Sequence, residues 1–283
     1  MIFENVFLKF TKTVFKHPDN PALEVNNFVY SYTELYQRAL GIASVLLNFP
    51  EEQFVGILSY RSFSTYAGIL GTLASGKCYV PFNPKFPVER TRKILSLVNC
   101  KIFIVDKEFL HLLPEIFQNS NKEIVIITPE IEDMRKSYQF RSIYYDKTNV
   151  ERQTLSDVPP VNEHNYAYLL FTSGTTGEPK GIPITHSNLT HYIEFMSQNY
   201  PVYSTDSCTQ LFDTTFDLSV HDMFITWNGA AKLVVIPKNL LFAPIKFLVE
   251  RKVTIWFSVP STISFLLKMG ILKKNCLPSL RRE

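Results

Sequence analysis

The stretch YAYLLFTSGTTGEPKG, residues 166–181, decides how this chain is read. Its first part, Tyr166 to Phe171, is a short apolar run of the kind that forms a buried strand. The run passes directly into the hydroxyl residues Thr172, Ser173, Thr175 and Thr176, the glycines Gly174, Gly177 and Gly181, and a single lysine, Lys180. Glycines let backbone N–H groups approach phosphate oxygens closely, hydroxyls add donors, and the lysine adds a mobile positive charge. The combination predicts a strand leading into a loop that wraps the β- and γ-phosphates of a nucleotide and steadies pyrophosphate as it leaves. It is not a P-loop: the GxxxxGK[ST] pattern fails because Pro179 stands where its second glycine belongs and Gly181 follows Lys180. No GxGxxG run follows any strand, so the dinucleotide fingerprint is missing too. The alternative for a lone Gly-Thr-Thr-Gly is a polar turn with no ligand; the preceding strand and the Pro-Lys-Gly ending weigh against it.

Outward from this loop, apolar runs alternate with amphipathic segments, the pattern of strands and crossover helices in a largely parallel sheet, so the fold class is α/β. On the C-terminal side a helix is predicted over 187–199, with strands over 208–212, 232–236 and 253–259. On the N-terminal side Phe3, Val6, Phe7, Phe10, Val14 and Phe15 recur at helical spacing, and Asn26-Asn27 separates two short strand-like runs as a hairpin turn. Ser31 and Glu34 have the spacing of a capping box ahead of a helix carrying Leu35, Ala39, Ile42, Ala43 and Leu46 on one face. Strands are expected over 54–58, 78–82, 101–105 and 123–128, with helices over 64–74 and 88–98. Residues 129–163 turn polar and close on Pro159-Pro160, which reads as a surface connection between sub-lobes at about 1–128 and 164–283.

Composition bounds the function. The chain has 283 residues, 46% hydrophobic and 19% charged, enough to bury a large core. A net charge of +3 gives no surplus for phosphate-backbone binding, so nucleic acid is not an expected partner. Cys78, Cys100, Cys208 and Cys276 form no CxxC pair, which points to reduced thiols rather than a zinc site, and no metal site is expected among the side chains. Glu4, Lys9 and Lys12 interrupt any signal-peptide core, and the uncharged stretch 62–76 is too short and too hydroxyl-rich to cross a membrane. A cytoplasmic protein without a membrane partner is expected. With only 10 glycines in the chain against ~7% in an average protein, the cluster at Gly174, Gly177 and Gly181 marks a local requirement.

Extended to YLLFTSGTTGEPKGIPITHSNL, the loop resembles the signature of the adenylate-forming, or AMP-binding, superfamily, which includes acyl-CoA synthetases, luciferases and the adenylation domains of nonribosomal peptide synthetases. YSYTELYQRAL (30–40), LASGKCYVPFNPKFPVER (73–90) and FDLSVHDMF (216–224) resemble further blocks of the same family in the same order. The resemblance implies the N-terminal large-domain part of the adenylate-forming fold, two sub-lobes with mostly parallel sheets flanked by helices. It implies a two-step activity: a carboxylate attacks the α-phosphate of ATP, accompanied by Mg2+, pyrophosphate leaves, and the acyl group passes to a thiol. Thr172, Ser173, Gly174, Thr175, Thr176, Gly177 and Lys180 match the family's phosphate loop, with Lys180 and Thr172 the candidate catalytic residues.

The block Phe216-Asp217-Leu218-Ser219 matches the amino-acid-activating branch, in which the aspartate pairs with the substrate's α-ammonium; the substrate-binding candidates are therefore Asp217, Leu218 and His221. The alternative role for Asp217 is to cap a helix starting near Ser219. His221 is equally read as a packed core residue. His186 and His191 follow the loop and suit either the nucleotide or a solvated helix face, and Asp213 suits a turn. Phe212, Phe224, Trp227 and Trp256 are expected in the core. The expected thiol is a phosphopantetheinyl carrier protein, with coenzyme A as the second choice. The resemblance runs out at LPSLRRE (277–283), before the family's adenine and ribose contacts and its small C-terminal catalytic-lysine domain. The chain alone is thus expected to be incomplete: a non-catalytic remnant, half of a split enzyme completed by another chain, or, on the substrate side, a relative of the fatty acyl-CoA ligases.

Overall fold

The computed structural model describes residues 3–132, 138–153, 155, 157–173 and 178–281, the side chain of Ser173 excepted. The chain opens with helix α1 (Val6–Lys16), the strands β1 (Pro21–Val25) and β2 (Phe28–Ser31), and helix α2 (Tyr32–Leu47). Asn26 and Asn27 both take positive φ, 52° and 66°, the geometry of a tight hairpin turn between β1 and β2. The capping box forms as expected: Glu34 N–H donates to Ser31 Oγ at 3.2 Å, and Ser31 N–H donates back to Glu34 Oε2 at 2.7 Å.

The structure divides into two compact units, one of residues 1–9 and 35–191, the other of residues 10–34 and 192–283. The first unit contains β3 (Phe54–Leu58), α3 (Phe63–Ala74), β4 (Cys78–Pro81), α4 (Val88–Leu97), β5 (Ile102–Val105), a 3-10 turn (Lys107–Leu112), α5 (Leu113–Ile116), β6 (Ile124–Ile127), β7 (Ser142–Tyr145), α6 (Lys147–Arg152), β8 (Tyr166–Ser173) and β9 (Pro179–Thr185). Its seven strands lie in the order β7-β6-β5-β3-β4-β8-β9, parallel except for the antiparallel β8–β9 pair. β4, β5 and β6 are buried at every position, as a parallel sheet covered on both faces requires. α3 is buried along its whole length and starts at Ser62, whose hydroxyl accepts the Thr65 N–H at 3.2 Å.

The second unit adds α7 (His186–Asn199, which runs into it from the first), β10 (Ser207–Gln210), α8 (Leu218–Asn228), β11 (Lys232–Val235), α9 (Ile245–Glu250) and α10 (Pro260–Lys268). Its sheet runs β10-β11-β1-β2, with β1 and β10 both parallel to β11. Trp227 anchors the core: it is 1% exposed, lies edge-on to Phe10 at 5.7 Å, and donates its indole N–H to Ala22 O at 3.1 Å. Tyr32, fully buried, donates its hydroxyl to Ala231 O at 2.7 Å. Phe224 and Trp256 are core residues as expected, while Phe212 is only half-buried.

Three expectations are corrected. The compact units do not follow the 1–128 and 164–283 division, because β1 pairs with β11 and β8 pairs with β4 across long stretches of sequence. The polar stretch 129–163 is not just a connection: it holds β7, which adds an edge strand beside β6, and α6, whose Glu151 accepts from Arg38 of α2 at 2.8 Å. Residues 253–259 form no full strand; Ile255 makes a single bridge to Cys208 before Pro260 opens α10.

Gly56 in β3 tests the packing of the seven-stranded unit. A Cβ there would sit 2.4 Å from the Phe103 ring and 3.1 Å from Phe82, with no room to retreat inside a covered sheet. Gly56→Ala is expected to destabilise the unit by about 1–3 kcal/mol, as overpacking does. Urea unfolding should show a lower midpoint at unchanged slope; an unchanged midpoint would contradict the packing described.

Candidate active site

In the first unit the phosphate-loop candidates sit on the β8–β9 hairpin. The register places Thr172 directly across from Lys180, and Ser173 across from Pro179. Thr172 and Lys180 are both exposed. Gly174, Thr175, Thr176 and Gly177 lie outside the described residues. Gly181 faces Phe171 in the ladder, and a Cβ on it would come within 3.2 Å of Leu169 and of the Phe171 ring, so close strand approach explains this glycine. Glu178, at the start of the return strand, pairs with Lys93 of α4 at 2.9 Å. Among the described residues, no group of three or more His, Cys, Asp or Glu side chains gathers as a metal site.

His186 departs from both of its expected settings. It is 1% exposed, neither ring nitrogen has a hydrogen-bond partner among the described residues, and burial pushes its pKa down to about 4. His191 lies on an exposed face, with Nδ1 2.9 Å from Ser187 O.

In the second unit the substrate candidates occupy the start of α8. Asp217 stands at the N-cap position with helical dihedrals (φ −61°, ψ −29°), and its side chain makes no capping hydrogen bond. The capping role is therefore not the one its carboxylate plays. Asp217 is exposed and Leu218 half-buried, whereas residues from Ser219 onward pack inward. Asp213 makes the expected turn, its Oδ1 accepting from Thr215 N–H at 2.9 Å and from the Thr215 hydroxyl at 2.6 Å. His221, one turn beyond Asp217, lies with its ring centroid 4.0 Å from Phe257, and its Nδ1 is 2.8 Å from the Tyr192 hydroxyl. Burial lowers the His221 pKa to about 4. Tyr192 is held above its ordinary value by burial first and then by the carboxylates of Asp217 and Asp222.

Beneath His221 lies a cavity of about 40 Å³ lined by Cys208 and Thr209 of β10, Asp222 and Thr226 of α8, and Ile255 and Phe257. That is room for a few waters or a small polar group. The Thr209 hydroxyl is buried there with no hydrogen-bond partner among the described residues, and one Asp222 oxygen accepts from Leu211 N–H at 3.0 Å. Sequence reasoning missed Tyr192, Thr209 and Phe257. Each comes from a different segment, and no local pattern ties them to the FDLSVHDMF block.

Parallel-rich sheets flanked by helices, with a hydroxyl- and glycine-bearing hairpin at one sheet edge, define the class as an α/β protein. A family model described as AMP-binding enzyme matches residues 10–282, and the chain belongs to that family. It is 30% identical over 256 residues to bacitracin synthase 1 of Bacillus licheniformis, covering 89% of this chain and 4% of that protein. It is also 30% identical over 263 residues to zwittermicin A synthase ZmaJ of Bacillus cereus, covering 91% of this chain and 46% of that one. Among solved structures, the Vibrio cholerae adenylation domain AlmE in complex with glycyl-adenosine-5'-phosphate matches with a TM-score of 0.86 at 30% identity, over 99% of this chain and 54% of that chain. IdnL7 matches with a TM-score of 0.87 at 29% identity, over 98% and 54%. The chain thus spans less than half the length of these curated relatives and about half that of the solved ones; it resembles the N-terminal part of a nonribosomal peptide synthetase adenylation domain. No helix among the described residues is long and apolar enough to cross a membrane.

Two histidines, buried His186 and half-buried His221, weaken the fold in acid, while Asp106, whose carboxyl pKa burial raises to about 6, opposes them by gaining stability as pH falls from 6 toward 4. The folded pKa values of the histidines, about 4, lie below the ordinary 6.5, so the unfolded chain binds more protons at these two sites between these values. The stability the histidines contribute is fully present above about pH 6.5 and falls as pH drops toward 4, by up to ~1.4 kcal/mol per pH unit for each histidine. Urea midpoints measured across pH 4–7 should fall in that window, and His221→Asn should flatten the fall; an equal slope in the variant would contradict the neutral state of His221.

Proposed function

We infer that the chain takes part in ATP-dependent activation of an amino acid to an aminoacyl-adenylate, with transfer to a carrier thiol. In the first step a substrate carboxylate oxygen attacks the α-phosphorus, the bond to the bridging oxygen breaks, and pyrophosphate leaves with the electron pair. In the second a thiolate attacks the acyl carbon and AMP leaves. The observation that carries the reading is Asp217: an exposed carboxylate at the head of α8, not spent on capping, beside Tyr192 and one turn from His221. A charge-assisted hydrogen bond from the substrate ammonium suits it, with Leu218 and His221 as neighbouring contacts.

Thr172 and Lys180, exposed and paired across the hairpin, offer a hydroxyl and an ammonium to the polyphosphate, and Ser173, Gly174, Thr175, Thr176 and Gly177 are assigned to the same loop. Their work is positioning and charge stabilisation of the leaving pyrophosphate. Mg2+ arrives with ATP in this reading and supplies further neutralisation of phosphate charge. A phosphopantetheinyl carrier is the preferred acceptor, with coenzyme A second.

Calorimetric binding tests both halves. Asp217→Ala is expected to weaken the preferred amino acid about tenfold, the low end for a charge-assisted bond because the carboxylate is exposed, and to leave the deaminated acid unaffected. Equal losses for both acids would make Asp217 structural. Lys180→Ala is expected to weaken ATP about tenfold and leave amino-acid binding intact; unchanged ATP binding would remove the loop assignment.

A further inference from the structure

The wall of the cavity beneath α8 carries a feature that charge recognition at Asp217 does not use. His221 has two ring nitrogens and, when neutral, one proton between them. Its Nδ1 is 2.8 Å from the hydroxyl of Tyr192 on α7. Of the two ways to make that bond, phenol O–H to imidazole nitrogen is the stronger, because a phenol is the better acid and an imidazole nitrogen the better base. The bond therefore places the ring proton on Nε2. Phe257 lies against the ring face at 4.0 Å and limits its rotation, so the imidazole is held at both its edge and its face. The same ring lines a cavity of about 40 Å³ where the buried Thr209 hydroxyl has no partner among the described residues, a setting that favours a polar occupant over a hydrocarbon one.

We propose that Tyr192 is a positioning residue for substrate selection: by donating to His221 Nδ1 it fixes an Nε2–H donor in the cavity wall, which selects amino acids whose short, uncharged side chains carry a hydrogen-bond acceptor. The selection rests on the reading of Asp217 as the ammonium partner; the tautomer device does not. A fixed donor discriminates because an isosteric hydrocarbon leaves it buried and unpaired, whereas an acceptor satisfies it. Burial first, and then the charges of Asp217 and Asp222, keep the proton on Tyr192.

Two measurements on the full 283-residue chain test this separately. In 15N-histidine spectra, with the His221 signal assigned by loss in His221→Asn, the wild type should show one unprotonated and one protonated ring nitrogen, with Nδ1 unprotonated. Tyr192→Phe, a change at an exposed helix position, should give averaged signals of mixed tautomers. An identical Nε2–H signature in Tyr192→Phe, or a protonated Nδ1 in the wild type, would overturn the device. In calorimetric binding of the isosteric pairs threonine against valine and asparagine against leucine, the wild type should favour the acceptor-bearing member of at least one pair about tenfold or more. Tyr192→Phe should narrow that ratio to about twofold. Preference for the hydrocarbon member in both pairs, or a ratio unchanged by Tyr192→Phe, would overturn the selection. Failure of every amino acid to bind would overturn the selection together with the Asp217 reading, while the spectra would still decide the tautomer.

Discussion

Strand β8 carries two obligations at once, and the first unit is built around them. It pairs parallel to β4 through Tyr168 and Tyr79, and it pairs antiparallel to β9 from Tyr166 and Thr185 to Ser173 and Pro179. The parallel pairing extends the buried sheet; the antiparallel return ends it. The return strand fixes Lys180 opposite Thr172 by ladder register, and a slip of one residue would turn every β9 side chain to the other face. A Cβ at Gly181 would come within 3.2 Å of Leu169 and of the Phe171 ring, so the register that aligns the hydroxyl with the ammonium also sets a close fit at this glycine.

In the second unit α8 plays the comparable part. Trp227, near its C-terminal end, is tied to the sheet through the Ala22 carbonyl, and Ser219, Val220 and Asp222 to Trp227 are buried. With that face committed, Asp217 stays exposed and His221 faces Tyr192 and Phe257. The helix start is thus aimed by packing several residues away.

What was legible in the sequence follows from these forces. β3, β5 and β6 announce themselves as continuous apolar runs because both faces are covered, and the Asn26-Asn27 turn and the Ser31–Glu34 box are local chemistry that needs no tertiary context. β7 was hidden because an edge strand reading SIYY is half-buried at every position and sits in a polar stretch. The pairing of β1 with β11 joins Leu23 to Leu233, and no local pattern encodes a partner so distant. The same holds for the site. Asp217 and His221 were visible as a motif, but Tyr192, Thr209 and Phe257 complete the cavity from three other segments, and only the fold brings them to it. His186 illustrates the converse: its place after the loop suits the nucleotide or a solvated helix face, and tertiary burial overrides both.

The proposed activity has two halves, an amino acid held through its ammonium group and a nucleotide held through its phosphates. The most direct test is the affinity of the chain for a non-hydrolysable aminoacyl-adenylate analogue, in which a sulfamoyl group replaces the phosphate, compared with its des-amino counterpart. The amine-bearing analogue is expected to bind about tenfold more tightly, with the gap narrowing as salt is raised. Equal affinity for the two, or preference for the des-amino or a fatty-acyl form, would contradict the proposed activity.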